Sequence, residues 1–311
     1  MTRGPHFRVA LIGASGLLGR AVANELATIN RWQVIRTAFR HGDADTVTLD
    51  IRNEGAVHQF IADQAPDAII VAAAERRPDV CENDPMLARA LNVDALRFIA
   101  SAAQKIGSWI LSISTDYVFD GTQAPYQPDD TPNPLNAYGR SKLEGEQALL
   151  QSGARSCVLR LPLLYGPVVD WGESAVTSLA PAIMESARGV APAVMDAWAT
   201  RYPTFTPDVA VVIRRLLERH EIGESVTGVM HWSGDEPMTK FDIAQRIAQV
   251  LNIDARITAQ QTPIDATPRP RDCHLTSDTL EVANIGQRTP FDTAIRTVLQ
   301  NWPRPTICER P

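Results

Sequence analysis

The chain has 311 residues, 44% of them hydrophobic and 21% charged, with a formal net charge of −6. That length and apolar share support a substantial core divided between two unequal lobes, and an acidic balance without a basic run argues against nucleic acid as a partner. The opening MTRGPHFRVALIGASG lacks a signal-peptide pattern and no apolar run reaches membrane-spanning length, so a soluble cytoplasmic protein without membrane attachment is expected.

The first apolar run, FRVALIG, leads into a predicted helix from Gly16 to Ala27 through Gly13, Gly16 and Gly19, spaced G-x-x-G-x-x-G. Glycine permits the tight turn and close backbone approach, and the helix start then offers free N–H groups and a partial positive charge to a pyrophosphate. Gly13, Ser15, Gly16, Leu17, Leu18 and Gly19 are therefore candidate cofactor-binding positions. The second strand, WQVIRTAF, runs to Arg40, where an acidic residue would hold the ribose hydroxyls of NAD. A guanidinium there suits a 2′-phosphate, so NADP(H) is favoured over NAD(H), with a solvated strand-end arginine as the alternative.

A helix at AVHQFIADQ precedes DAIIVAAA, which is apolar without alternation, as a central parallel strand buried on both faces should be. The strand SWILSIST ends in Thr115, Asp116 and Tyr117, at the carboxyl edge where ligands of open α/β sheets bind. Thr115 is placed there to hydrogen-bond a reacting carbonyl. Tyr138 and Lys142 stand at i and i+4 and share one helical face, where the cation should draw the phenol's pKa down toward the working range. SCVLRL is the next strand. The alternation as a whole predicts an α/β fold: a Rossmann doubly wound parallel sheet, mainly over 1–161, with a smaller C-terminal α/β substrate-binding lobe over 162–300. The helical stretches VAVVIRRLLERH and FDIAQRIAQVLN fall in the second segment, some of which is allowed to cross back, and 301–311 reads as a tail. Cys81, Cys157, Cys273 and Cys308 are scattered, which predicts neither a disulfide framework nor a metal site.

The glycine loop, STDYVFDG and YGRSK, in that order, resemble the extended short-chain dehydrogenases/reductases, specifically the dTDP-4-dehydrorhamnose reductase group, over nearly the whole chain. The resemblance implies an oxidoreductase that passes hydride from NADPH to a nucleotide-linked 4-keto sugar, with Thr115, Tyr138 and Lys142 as the catalytic triad. It also implies that Tyr138 and Lys142 touch the cofactor, and that Asp50, Ile51, Ala72, Ala73 and Ala74 flank its adenine, ribose and phosphate. Asn92 matches the mid-helix Asn of the family and, with Asp116 and Tyr117, is assigned to the substrate side. The segment from Glu75 to Val80 departs from the family's A-x-T-A-V-D. Its Arg76 and Arg77 suit a phosphate or carboxylate, or alternatively pair with Glu75, Asp79 or Glu82. Arg201 and Arg271 are the outer substrate candidates, with carboxylates of the chain itself as competing partners. Trp198 and Trp232 read as core.

A second resemblance is carried by AERRPDV, GVMHWSG, Met238 to Lys240 and IGQRTPF, which are similar to the regulatory β subunit of methionine adenosyltransferase. It implies NADP binding and a methionine adenosyltransferase catalytic subunit as partner, without turnover. Two functions of different class thus fit one fold. The intact triad favours the enzyme, as does the ending TICERP, which does not match the tail by which that regulatory family docks. Monomer and homodimer both stay open.

Overall fold

The computed structural model describes residues 6–263 and 266–300. The expectation of a tail over 301–311, and Cys308, lie outside the described residues. The first half of the chain runs β1 (Phe7–Ile12), α1 (Leu17–Leu26), β2 (Trp32–Ala38), β3 (Val47–Thr48), α2 (Glu54–Gln64), β4 (Ala68–Val71), α3 (Pro78–Asn83), α4 (Pro85–Arg89), α5 (Ala95–Ile106) and β5 (Trp109–Thr115). The second half runs α6 (Ala137–Leu150), β6 (Ser156–Leu161), β7 (Leu164–Tyr165), α7 (Ala180–Ala187), β8 (Ala193–Asp196), β9 (Thr204–Phe205), α8 (Thr206–Glu221), β10 (Gly228–His231), α9 (Lys240–Leu251), β11 (Ile257–Gln260), α10 (Asp278–Val282) and α11 (Phe291–Gln300).

Seven strands form one sheet in the order β10-β6-β5-β4-β1-β2-β3, and every pairing is parallel. This is a Rossmann-like doubly wound sheet, as the alternation of apolar runs and helices predicts. Val9, Leu11, Ala68, Ile70, Leu111 and Leu159 face one core, while Ala10, Ile12, Ile69, Val71, Ile110 and Val158 face the other. Both faces are therefore buried, which is why DAIIVAAA carries no polar alternation.

Helices α1 and α8 cover the first face; α2 and α5, with Leu149 of α6, cover the second. Helix α8 carries VAVVIRRLLERH, and β10 extends the sheet beyond β6, so chain well past residue 161 belongs to this layer. The apolar stripe Val209, Val212, Ile213, Leu216 and Leu217 finds its partner in the sheet and α1. A separate core gathers Tyr165, Ile183, Met195, Ile243, Ile247, Phe291 and Ile295, with the two-stranded sheets β8/β11 and β7/β9 alongside. Helix α9 in this lobe starts at a capping box, in which Thr239 accepts from the Asp242 amide at 3.1 Å while the Asp242 carboxylate accepts from the Thr239 amide at 2.8 Å.

Cys81, Cys157 and Cys273 are buried free thiols. Among the described residues no cluster of His, Cys, Asp and Glu has the makings of a metal site, and no helix is long and apolar enough to cross a membrane.

Candidate active site

A cleft of about 850 Å³ opens at the carboxyl ends of the central strands. At its floor the β1–α1 turn passes through Gly13, whose φ of 88° lies in the left-handed region and whose added Cβ would stand 2.7 Å from the Ala73 amide nitrogen. A Cβ on Gly19 would collide with the Gly13 carbonyl oxygen. These two glycines serve the packing of the turn itself.

Gly16 is different. It caps α1 with ordinary extended angles, and a Cβ there would meet nothing closer than the Gly13 oxygen at 3.5 Å. The start of α1 has no side-chain cap and no acidic residue in its first turn, so its N–H groups and partial positive charge face the cleft. An anion such as a pyrophosphate fits this cradle. Gly16→Val should therefore fold with a thermal midpoint close to that of the parent while losing most NADPH affinity. Calorimetric titration of the folded variant checks this, and unaltered affinity would place the phosphates elsewhere.

At the far end of β2, Arg40 borders the cleft and has no carboxylate partner among the described residues. Arg36 is turned away to Asp43 at 2.9 Å and Asp45 at 3.6 Å. Asp50, which also borders the cleft, is gripped by the fork of Arg52, with Nε and Nη2 2.8 and 2.7 Å from its two oxygens. That hydrogen-bonded cation holds the Asp50 carboxyl below the usual range. Ile51, Ala72, Ala73 and Ala74 line the wall between the glycine loop and this corner.

The part of the cleft that holds Thr115, Tyr138 and Lys142 is built by β5 and α6. The Asn136 side chain caps α6 by accepting from the Gly139 amide at 2.9 Å. Close backbone approach seats the helix: a Cβ on Gly139 would strike the Tyr117 carbonyl oxygen, and one on Gly145 the Asn92 carbonyl oxygen. Tyr138 and Lys142 then face the cleft beside Thr115. The Thr115 hydroxyl donates to Asp116 Oδ1 at 3.1 Å and accepts from the Tyr117 amide at 3.2 Å. Lys142 is buried and its Nζ donates to the Ile113 carbonyl at 2.8 Å.

The electrostatics differ from what the i, i+4 spacing predicts. Burial pushes the Tyr138 phenol far above its ordinary pKa, the Thr115 hydroxyl opposes this, and the neighbouring Asp116 charge adds to the rise. Lys142 does not depress it, because its ammonium is directed at the Ile113 carbonyl and is itself pushed down to about 8 by burial, against the pull of Glu146. Burial also pushes Asp116 up to about 6, opposed by the Arg201 guanidinium. Arg201 is buried, lies 5.8 Å over the Tyr117 ring and donates to the Thr200 and Pro270 carbonyls at 2.7 and 3.1 Å. Tyr117 meets Tyr138 edge to face at 5.8 Å.

Of the residues singled out from sequence, Ser15, Leu17, Leu18, Arg76, Arg77, Thr115, Asp116, Tyr117, Tyr138, Lys142 and Arg201 all border this one cleft. Three do not. Gly19 packs against the Gly13 carbonyl, Arg271 is exposed but does not line the cleft, and Asn92 is buried in a hydrogen-bonded network. The Asn92 amide accepts from the Glu75 backbone at 2.9 Å and donates to the Glu75 carbonyl and the Ser141 hydroxyl, within a π-helical turn over Ala90–Asp94. Arg77 is held fork to fork by Glu75 at 2.7–2.8 Å, which leaves Arg76 without an ion pair among the described residues. Arg269, paired with Asp79 at 3.3 Å, occupies the cleft edge expected for Arg271. Trp232 is buried beneath Arg288, and Trp198 does not reach the cleft. Sequence reasoning missed Phe39, Arg52 and Glu173, each of which borders the cleft without belonging to a spaced motif.

The RmlD substrate binding domain pattern matches residues 7–303. The chain belongs to the RmlD substrate binding domain family. Among its curated relatives, methionine adenosyltransferase 2 subunit beta of Bos taurus is 44% identical over 96% of this chain and 88% of that protein. The dTDP-4-dehydrorhamnose reductase of Aggregatibacter actinomycetemcomitans is 33% identical over 76% of each. Among solved structures, the dTDP-4-dehydrorhamnose reductase of Bacillus anthracis in complex with NADP superposes with a TM-score of 0.81 at 25% identity, covering 95% of this chain and 99% of that one. This RmlD-family chain is thus similar in sequence both to a methionine adenosyltransferase subunit and to a dTDP-4-dehydrorhamnose reductase, and in fold to a dTDP-4-dehydrorhamnose reductase.

Proposed function

We propose that the chain is a cytoplasmic, NADPH-dependent reductase of a nucleotide-linked 4-keto sugar, with dTDP-4-dehydrorhamnose as reference substrate. The observation that carries this reading is the convergence of Thr115, Tyr138 and Lys142 on one cleft that also holds an uncapped helix start and Arg40, which makes no salt bridge among the described residues. The reductase relative bound to NADP supports the choice of cofactor.

The glycine loop and Arg40 would hold a nicotinamide dinucleotide, which would supply the hydride when bound. Tyr138, neutral at pH 7 as any phenol is and held more firmly so by burial, donates its phenolic proton to the ketone oxygen as charge develops there. Thr115 Oγ1 steadies the same oxygen by hydrogen bonding. An ammonium has three donors, and Ile113 takes one of those on Lys142, so the cation is available to the phenolate left behind. Arg76 and Arg269, which line the cleft, and the buried Arg201 suit the diphosphate of the substrate.

A second reading is favoured by the higher identity to the methionine adenosyltransferase subunit: an NADP-binding regulatory partner of the catalytic subunit of that enzyme. One experiment separates the two. The purified chain is given NADPH and dTDP-4-dehydrorhamnose while NADPH absorbance is followed, and in parallel is mixed with the methionine adenosyltransferase catalytic subunit for size-exclusion analysis. Consumption of NADPH that depends on the sugar establishes the reductase. A stable complex without consumption establishes the regulatory role.

A further inference from the structure

The cleft wall beside the glycine loop is completed by chain from the other lobe. Residues 167–178 connect β7 to α7, and Val176 roots them in the second core with Tyr165 and Ile183. Gly172, Glu173 and Ser174 nevertheless line the same cleft as Gly13, Ser15 and Gly16. Arg20, one turn into α1, ties the two walls together. Its Nη1 donates to the Ser15 carbonyl at 2.6 Å and to Glu173 Oε1 at 3.2 Å, and its Nη2 to Glu173 Oε2 at 2.5 Å and the Pro167 carbonyl at 3.4 Å. All four terminal N–H groups of the guanidinium are thereby engaged. The segment is also braced within itself. The Val169 amide donates to Glu173 Oε2 at 2.9 Å, the Gly172 amide to Asp170 Oδ1 at 2.8 Å, and the Thr177 hydroxyl to the Trp171 carbonyl at 2.8 Å. An anchor at Glu173 therefore holds a whole strap against the glycine loop.

We propose that the Arg20–Glu173 pair is a latch that holds this strap over the entrance to the glycine loop, so that a nucleotide enters and leaves only while the pair is open. The inference rests on the nucleotide-binding reading above but not on turnover. Both side chains are 28% exposed, so water can replace their bonds one at a time, which suits a contact that opens repeatedly. A fully buried pair such as Glu146–Arg160 is too costly to open in this way. Because the strap is rooted in the second core, opening the latch displaces a few residues and not a lobe.

The test is stopped-flow fluorescence of NADPH with the intact chain, which reads the association rate constant and, after a chase with excess NADP+, the dissociation rate constant. Glu173→Gln removes the charge and leaves the contact between Arg20 and the Ser15 carbonyl in place. Both rate constants should rise about 3- to 10-fold, between the effect of an exposed pair and that of buried charged hydrogen bonds. Kd should stay within about twofold, because a gate speeds both directions alike. Arg20→Lys keeps the charge without the fork and should fall between the parent and Glu173→Gln. Arg20→Gln combined with Glu173→Gln should be no faster than Glu173→Gln alone, as for one shared contact. A changed Kd with an unchanged association rate would make Glu173 a binding contact and not a latch, and two unchanged rates would remove the latch altogether. Failure of the parent protein to bind NADPH would instead overturn the nucleotide-binding reading, and this inference with it.

Discussion

Tyr138→Phe is expected to lower turnover of dTDP-4-dehydrorhamnose about 10²- to 10⁴-fold, the usual contribution of a positioned proton donor. NADPH affinity should stay nearly unchanged. The substitution deletes one hydroxyl and keeps the ring, its edge-to-face contact with Tyr117 at 5.8 Å and its place on α6. The Gly16 turn, proposed to hold the cofactor phosphates, and the Arg40 corner lie elsewhere in the cleft and are untouched. In the proposed mechanism the neutral phenol is the working form for reduction, so the raised pKa of Tyr138 is no handicap while the Lys142 cation is there to receive its phenolate. That cation is the pH-sensitive element. Lys142 is pushed down to about 8, so it is charged below that value and loses its charge as pH rises through it. Turnover should decline on the alkaline side over that range. The pH profile of kcat, with the loss in Tyr138→Phe, measures both expectations; a variant within a few-fold of the parent would assign the proton to another group.

Arg160→Met should cost about 3–5 kcal/mol of folding stability, the range for breaking a buried ion pair from one side. Glu146 of α6 and Arg160 of β6 are each 4% exposed and joined at 2.7 Å through Nη2, with Nε reaching the carboxylate at 3.1 and 3.2 Å. Ser114, next to Thr115, also donates to Glu146 Oε1. Arg160 lies 5.1 Å over the Phe119 ring and 3.4 Å from His231 Nε2. Burial and that cation hold His231 neutral, pushed down to about 3. The network thus pins α6, which carries Tyr138 and Lys142, to β5, β6 and β10. Without the guanidinium the Glu146 carboxylate keeps a single side-chain donor, Ser114, in a low-dielectric interior. Pairing Glu146→Leu with Arg160→Met should regain much of the loss, because no charge is then left buried. Urea unfolding of the two variants is the measurement; a single-variant loss below about 1 kcal/mol would mean that water or rearrangement replaces the pair.

What the sequence revealed, and what it hid, divides along a physical line. The glycine loop, the unbroken apolar run of β4 and the hydroxyl-rich end of β5 are local: each is dictated by turn geometry or by burial on both faces, and each was legible. The Tyr138–Lys142 pair was legible as a shared helix face, but not the direction of the ammonium, which depends on the Ile113 carbonyl across the gap to β5. Asn92 is singled out only by resemblance to the family's mid-helix Asn, and no local pattern shows that its buried amide ties Glu75 to Ser141. The choice of Arg269 over Arg271 depends on Asp79, far away in the chain. Helix α8 shows an amphipathic stripe, yet a stripe does not say which sheet will cover it. Glu173 was invisible because its partner, Arg20, lies far back in the chain and is brought close only by the fold.

The measurement that tests the central claim most directly is the fate of a labelled hydride. The chain is incubated with dTDP-4-dehydrorhamnose and NADPH carrying deuterium at the nicotinamide C4, in separate runs with each stereoisomer, and the sugar product is read by NMR. The account predicts deuterium at C4 of the sugar in one of the two runs, abolished in Tyr138→Phe. A sugar recovered unreduced and unlabelled, from a chain that binds NADPH, would contradict it.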